Sequence, residues 1–328
     1  MVWLFIIFII FVLSMLVLDL GVFNRRAHEI STKEALSWCV VWVGLAMAFN
    51  VFVYFLYEYN LFGSIGPGQP NGHEAAVLFL TGYVVEKSLS ADNIFVMALI
   101  FAYFHVPAIY QHRVLFYGIL GAVVLRAVMI FGGIALIHQF SWILYVFGAF
   151  LIYSAYRMLF SKEEMDPQKN IFVRLTKKLL PVTNEYHGQH FLARHQGRWM
   201  LTPMAIVLVA IEGADIVFAI DSIPAVFAIT DIPFIVFTSN IFAILGLRAM
   251  YFALSAVLGK FRYLKISLTI LLAVIGMKML LKDLIEAVPG KTYITLGLIV
   301  LILGAGIVAS VLCPQRQEPD ALNKKMRI

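Results

Sequence analysis

Glu86, Asp92 and Asn93 fall within one apolar run of this chain, from about 75 to 103. Asp215, Asp221 and Ser222 fall within a second, from about 201 to 229. Each set reads acid, five residues, aspartate, then a small oxygen-bearing side chain. Each run is long enough to cross a bilayer, which takes about 20 apolar residues. Carboxylates are costly at that depth and mark ion, proton or substrate paths. Every candidate donor is an oxygen, and no histidine or cysteine lies within the two runs. Oxygen ligands suit Mn2+, Ca2+ and Mg2+ alike, whereas zinc or copper would call for imidazole or thiolate.

The charges close to these motifs can be counted. Glu86, Asp92, Glu212, Asp215 and Asp221 give five negatives, and Lys87, Arg126 and Arg248 give three positives. The surplus of two negatives matches one divalent cation. On a helix of 3.6 residues per turn, Glu86, Ser90 and Asn93 share a face and Asp92 is offset. Asp215 and Ser222 share a face, with Glu212 close to it and Asp221 offset in the same way. Gly213 and Pro224 are expected to loosen or kink the second helix, freeing backbone carbonyls as extra ligands. Arg126 and Arg248 read as charges that orient the acids without touching cargo. Lys87 has two readings: it holds the empty site neutral, or it snorkels toward water. The plainer alternative is that the acids are structural ion pairs only, but a lone pair does not explain two matching clusters.

These residues need a scaffold that brings two distant stretches to one depth. Hydrophobic residues make up 62% of the 328 and charged residues 13%. A water-soluble core cannot bury that excess, so the chain reads as an all-α polytopic membrane protein. About nine apolar runs fit transmembrane helices: 2–22, 34–57, 75–103, 113–136, 140–160, 201–229, 234–257, 264–285 and 292–312. The N-terminal run lacks a basic leader and a small-residue cleavage site, so it reads as a retained first helix. Lys and Arg alternate with loop parity, which places the N-terminus outside and the C-terminus in the cytoplasm. The net charge of +6 follows from those loops and is no sign of nucleic-acid binding.

The acid motifs also register an internal repeat. Pairing Glu86 with Asp215 aligns Asp92 with Asp221. Further on, ILGAVVLRAVM (119–129) resembles IFAILGLRAMY (241–251), pairing Arg126 with Arg248. Spans three to five thus resemble spans six to eight. Three is odd, so the units must have opposite orientation, a 3+3 inverted repeat of the kind found in secondary transporters. One transmembrane domain over 1–328 is expected, with repeats at about 75–160 and 201–285 and a cytoplasmic loop at 161–200.

That loop reads as the one soluble element. Residues 172–180 fit a short basic amphipathic helix ended by Pro181, and 191–200 a small hairpin. His187, His190 and His195 lie here, but spacing of three without cysteine is a weak metal signal and solvated histidines are the simpler reading. Asp19 and Asn50 are weaker site candidates. Cys39 and Cys313 form no disulfide framework.

At the acidic motifs the chain resembles the TerC family of integral membrane proteins. The matching stretches are Leu18–Gly21 with Ala27–Glu29, TGYVVEKSLSADNIFV (81–96), RVLFYGILGAVVLR (113–126), FAIDSIPAVFAIT (218–230) and TSNIFAILGLRAMYF (238–252). The resemblance implies kinship with LysE-type transporters and a part in manganese export or in supplying metal to exported enzymes. It also implies that Glu86, Asp92, Asn93, Asp215, Asp221 and Ser222 line the ion path. Tellurite chemistry does not follow from the family name, because clustered acids repel an oxyanion.

The expectation is therefore a non-enzymatic secondary transporter of the inner membrane. It would export a divalent cation, Mn2+ first, with no prosthetic group. Its partners would be the lipid bilayer and the metal ion, with homo-oligomers or partner proteins left open. No P-loop is present, so an ion or metal gradient must supply the energy. Two alternatives stand: a scaffold that hands metal to exported enzymes, and an intramembrane hydrolase with Asp92 and Asp221 as acid and base. The Gly-x-Gly-Asp context that such a hydrolase would show is missing.

Overall fold

The computed structural model describes residues 2–18, 31–63, 66, 69–160, 170–183, 186, 188–195, 198–254, 262–285 and 288–312. Asp19, His187, Cys313, the tail and much of the basic loop sequence lie outside them. The chain is almost wholly helical. In order come α1 (Val2–Leu18), α2 (Thr32–Glu58), α3 (Gly72–Tyr103), α4 (Ala108–Gln139), α5 (Ile143–Phe160) and α6 (Ile171–Leu179). A hairpin of β1 (Leu192–His195) and β2 (Arg198–Leu201) follows. Then come α7 (Pro203–Phe227), α8 (Pro233–Leu245), α9 (Leu247–Leu254), α10 (Arg262–Leu280), the short α11 (Lys282–Ile285) and α12 (Lys291–Leu312).

Among the described residues, six helical segments are long and apolar enough to cross a membrane: α2, α4, α5, α7, α8 with α9, and α12 up to Ser310. With the composition, this makes a polytopic membrane protein. The helix α3 has the length, at 32 residues, but Glu86, Lys87 and Asp92 interrupt its apolar run. The charges that set it apart are the ones of functional interest.

Local chemistry sets the helix ends. Asn71 caps α3 by accepting from the Glu74 N–H at 2.8 Å, and Ser31 caps α2 through the Glu34 N–H at 3.3 Å. Prolines open α7 and α8 at their first positions, where the missing N–H has no helical partner to lose. Side chains on the outer faces of α1, α2, α4, α5 and α12 are largely apolar and exposed, including Ile7, Val40, Val128, Tyr153 and Leu301. Such faces suit lipid.

Inside, α3, α7 and α8 are the buried core. Every residue of α8 from Phe234 to Leu245 is buried. The helix α3 packs on α8 and α4 on α7, while α3 meets α7 and α5 meets α10. On one flank, phenylalanines 5, 8, 49, 234, 237 and 242 join α1 and α2 to α8 through edge-to-face and tilted ring contacts. On the other, Val85, Leu89 and Ala225 join α3 and α7 to α5, α10 and α12.

Two expectations about helix breaks change. The helix α7 runs unbroken from Pro203 to Phe227. Pro224 falls in its last turn, where it withholds one N–H from the Ile220 carbonyl without ending the helix. Gly213 provides clearance instead: a methyl there would lie 2.7 Å from Phe172 and 3.0 Å from the Asn170 amide. The break comes in the next span, where α8 ends at Leu245 and α9 starts at Leu247, around Gly246. The short basic helix and hairpin form as the sequence predicts, with His195 paired to Arg198 across the turn.

Candidate functional site

Arg126 lies near the middle of α4 and is completely buried. Its guanidinium organises the centre of the bundle. Nη2 donates to Asp215 Oδ1 at 3.1 Å and Nε to Asp215 Oδ2 at 3.4 Å. Nη1 donates to Glu86 Oε1, to Asn240 Oδ1 at 3.0 Å and to Ser222 Oγ at 3.4 Å. Asn240 closes the ring by donating from Nδ2 to Glu86 Oε2 at 2.9 Å. One cation therefore joins a carboxylate from α3 and a carboxylate from α7, with α8 supplying an amide. A planar guanidinium fork suits this task, since it can bind one carboxylate with two parallel donors and still reach another.

The network carries one positive and two negative charges in a water-poor interior. Buried charges survive only when paired and hydrogen-bonded. Here most acceptors are satisfied, and one formal negative charge is left in excess. Asn240 was not among the expected ligands. It belongs to no acidic motif, and the one signal was an amide inside an otherwise apolar helix.

The other expected residues take different places. Asn93 and Ser90 are buried on the Glu86 side of α3, and the Ser90 hydroxyl finds no hydrogen-bond partner among the described residues. Asp221 accepts a hydrogen bond from Ser154 of α5 at 2.6 Å. Asp92 is partly exposed, and Lys265 at the start of α10 is the charge that acts on it. Glu212 sits one turn before Asp215, in a notch that Gly121 of α4 leaves open, with Oε2 unpartnered among the described residues. Asn50 also has a buried oxygen without a partner among the described residues. The structure thus brings Glu86, Asp215 and Ser222 together, and sets Asp92 and Asp221 against other elements. Among the described residues no group of three or more His, Cys, Asp or Glu gathers closely enough to hold a metal.

The two remaining basic residues have definite roles. Lys87 donates from Nζ to the Ala243 carbonyl at 3.1 Å, in the last turn of α8 before the break. Carbonyls at a helix end lack partners and carry partial negative charge, so a cation caps them well. Gly246 makes the room: a side chain there would start 2.5 Å from Nζ. Arg248, just past the break, meets His112 Nε2 of α4 at 2.8 Å. Arg126 and Arg248 correspond in the proposed repeat but serve different partners here.

Residues 71–318 match the model of the integral membrane protein TerC family. The chain belongs to the TerC family. It is 46% identical over 306 residues to a Myxococcus xanthus protein described as "Uncharacterized membrane protein STKORF319", covering 93% of this chain and 91% of that one. It is 45% identical over 279 residues to an Escherichia coli (strain K12) protein named "Putative membrane-bound redox modulator Alx", covering 84% and 85%. A Photorhabdus laumondii protein of the same name is 42% identical over 306 residues, covering 93% of each. No solved structure matches. The match to the family spans the whole Arg126 network of this TerC chain, from Glu86 to Asn240.

Proposed function

We propose that this protein is a secondary transporter that exports a divalent cation, Mn2+ first, from the cytoplasm across the inner membrane. The observation that carries the reading is the convergence of Glu86 and Asp215, from two different helices, at one buried point. Arg126 takes the position a cation would hold between them. Cargo binding would move the guanidinium aside and leave Glu86, Asp215, Ser222 and the Asn240 amide as oxygen donors. Asp92 and Asp221 would serve as acids along the path on either side of that centre, with Asn93 beside Asp92.

The packing supports the inverted repeat. The contact of α3 with α8 is the contact of α4 with α7 exchanged between the units, and α5 pairs with α10 as like with like. Alternating access would then be a rocking of one unit against the other around the central acids. The N-terminus lies outside and the C-terminus inside on this reading. Proton antiport fits, because carboxylates must be deprotonated to bind metal and can take up protons when it leaves. Asp221 is held by Ser154 of α5 while Asp92 lies in the field of Lys265 on α10, which favours transport over a hydrolase that needs its two aspartates to act on one bond.

Purified protein in liposomes loaded with Mn2+, Ca2+ or Mg2+ tests the function. Metal flux without any partner protein supports the transporter, and binding without flux supports the metal-handing scaffold. In a manganese-sensitive host, Asp92→Asn and Asp221→Asn are expected to abolish protection. Protection equal to the unaltered protein in both variants would remove them from the ion path.

A further inference from the structure

The basic helix α6 does not behave as part of a solvated loop. Its N-terminal end meets α7 at Gly213, through Phe172 and Asn170, and Asn170 Nδ2 reaches the Ala210 carbonyl at 3.4 Å. Just past its C-terminal end, Leu201 N–H donates to the Pro181 carbonyl at 2.9 Å. The helix therefore runs back along α7, from Gly213 toward the start at Pro203. At 1.5 Å per residue, that places its first turn about 15 Å along a spanning helix.

The faces of α6 can be read from about 100° per residue. Phe172, Val173 and Thr176 form the side toward α7, and Val173 is 1% exposed. Beside them the apolar arc continues through Ile171, Leu175 and Leu179, which are 71%, 52% and 67% exposed. Next around the helix come Lys178, Arg174 and Lys177, all exposed. Half of the apolar arc is thus left uncovered by the described residues and is bordered by three cations. With the axis of α6 along α7, such an order lets the apolar row face acyl chains while the basic side chains snorkel back to anionic headgroups. Each Lys or Arg close to an anionic leaflet adds roughly 1 kcal/mol of attraction. Nearby, Trp199 and Leu192 of the hairpin are exposed, with Arg194 and Arg198 beside them, which extends the same character.

We infer that α6 is seated in the cytoplasmic leaflet of the membrane, with Ile171, Leu175 and Leu179 in the acyl region and Arg174, Lys177 and Lys178 on anionic lipid headgroups. The occupant of the uncovered face is anionic lipid of the surrounding bilayer. Cation transport is not needed for this conclusion. The seating also has a consequence for the site, because the Asn170–Phe172 end of α6 covers Gly213, next in sequence to Glu212.

The test uses the full chain in nanodiscs, with Cys39 and Cys313 changed to Ser and a single spin label at Leu175→Cys or Lys177→Cys. Accessibility to oxygen, which partitions into lipid, is compared with accessibility to a water-soluble nickel chelate. In phosphatidylglycerol nanodiscs, Leu175→Cys is expected to favour oxygen by several-fold over Lys177→Cys. In phosphatidylcholine, or with Arg174, Lys177 and Lys178 all changed to Gln, the Leu175 label is expected to shift toward the nickel chelate. A nickel-accessible Leu175 in phosphatidylglycerol overturns the proposal. So does a label shielded from both probes, which would mean protein covers the face. Oxygen accessibility identical in both lipids and in the Gln variant would overturn the anionic-lipid assignment. Unchanged gel-filtration behaviour of each variant shows that it is folded.

Discussion

Arg126 and Asp215 face each other through two hydrogen bonds, Nη2 to Oδ1 at 3.1 Å and Nε to Oδ2 at 3.4 Å. The pair locks α4 to α7, and the same guanidinium reaches Glu86 on α3. Removing one partner of a buried pair leaves an uncompensated charge and costs about 3–5 kcal/mol. Arg126→Gln is therefore expected to lower the melting temperature in detergent sharply, or to prevent accumulation. Adding Glu86→Gln and Asp215→Asn recovers part of that loss, because no unpaired charge is then left inside. A single Arg126→Gln variant as stable as the unaltered protein would show that the network contributes little to the fold.

Asn240 carries a separate prediction. It accepts from Arg126 and donates to Glu86 at 2.9 Å. Asn240→Leu keeps the same branched heavy-atom skeleton but satisfies neither group. Stranding a buried polar group costs about 1–3 kcal/mol, and more when it is charged. Asn240→Leu should lower the melting temperature by several degrees, while the buried neighbour change Ile241→Leu should stay close to neutral. Equal melting temperatures for the two would remove Asn240 from the network.

These residues show where sequence reasoning reached and where it stopped. The membrane class and the helical runs were legible because composition and apolar length leave few alternatives. Glu86 and Asp215 stood out because carboxylates inside apolar runs are rare. Asn240 did not, since an amide gives no charge signal. Gly213 and Pro224 looked like breakers, but a glycine's role depends on what packs against it. At Gly213 that neighbour is Phe172, from a segment more than 40 positions away by number. Gly246 marks the break because Lys87 arrives there from α3, a contact between residues far apart in the sequence.

Lys87 and Gly246 should behave as one unit. The ammonium caps the Ala243 carbonyl, and the glycine leaves space for it. Lys87→Met and Gly246→Ala each disturb the same contact. Each is expected to cost about 1.5–3 kcal/mol, in the range of a hydrogen bond involving a charged group. Residues that share one interaction are not additive, so the double variant should cost clearly less than the sum. Additive losses in melting temperature would show that Gly246 acts independently of the lysine.

Gly121 and Glu212 give the last and most local prediction. A methyl group at Gly121 would overlap the Glu212 carboxylate, whereas one at Gly118, a turn earlier on α4, would meet Ile211 at an ordinary 3.4 Å. Both glycines lie inside α4, where alanine is favoured by about 1 kcal/mol on propensity alone. Gly118→Ala should therefore be neutral or slightly stabilising, with metal flux unchanged. Gly121→Ala gains the same propensity but must push the carboxylate out of its notch. If Glu212 lies on the cation path, Gly121→Ala lowers flux about as far as Glu212→Gln does, without a matching fall in melting temperature. Flux that falls in Gly121→Ala but not in Glu212→Gln would assign the effect to α4–α7 packing and not to the acid.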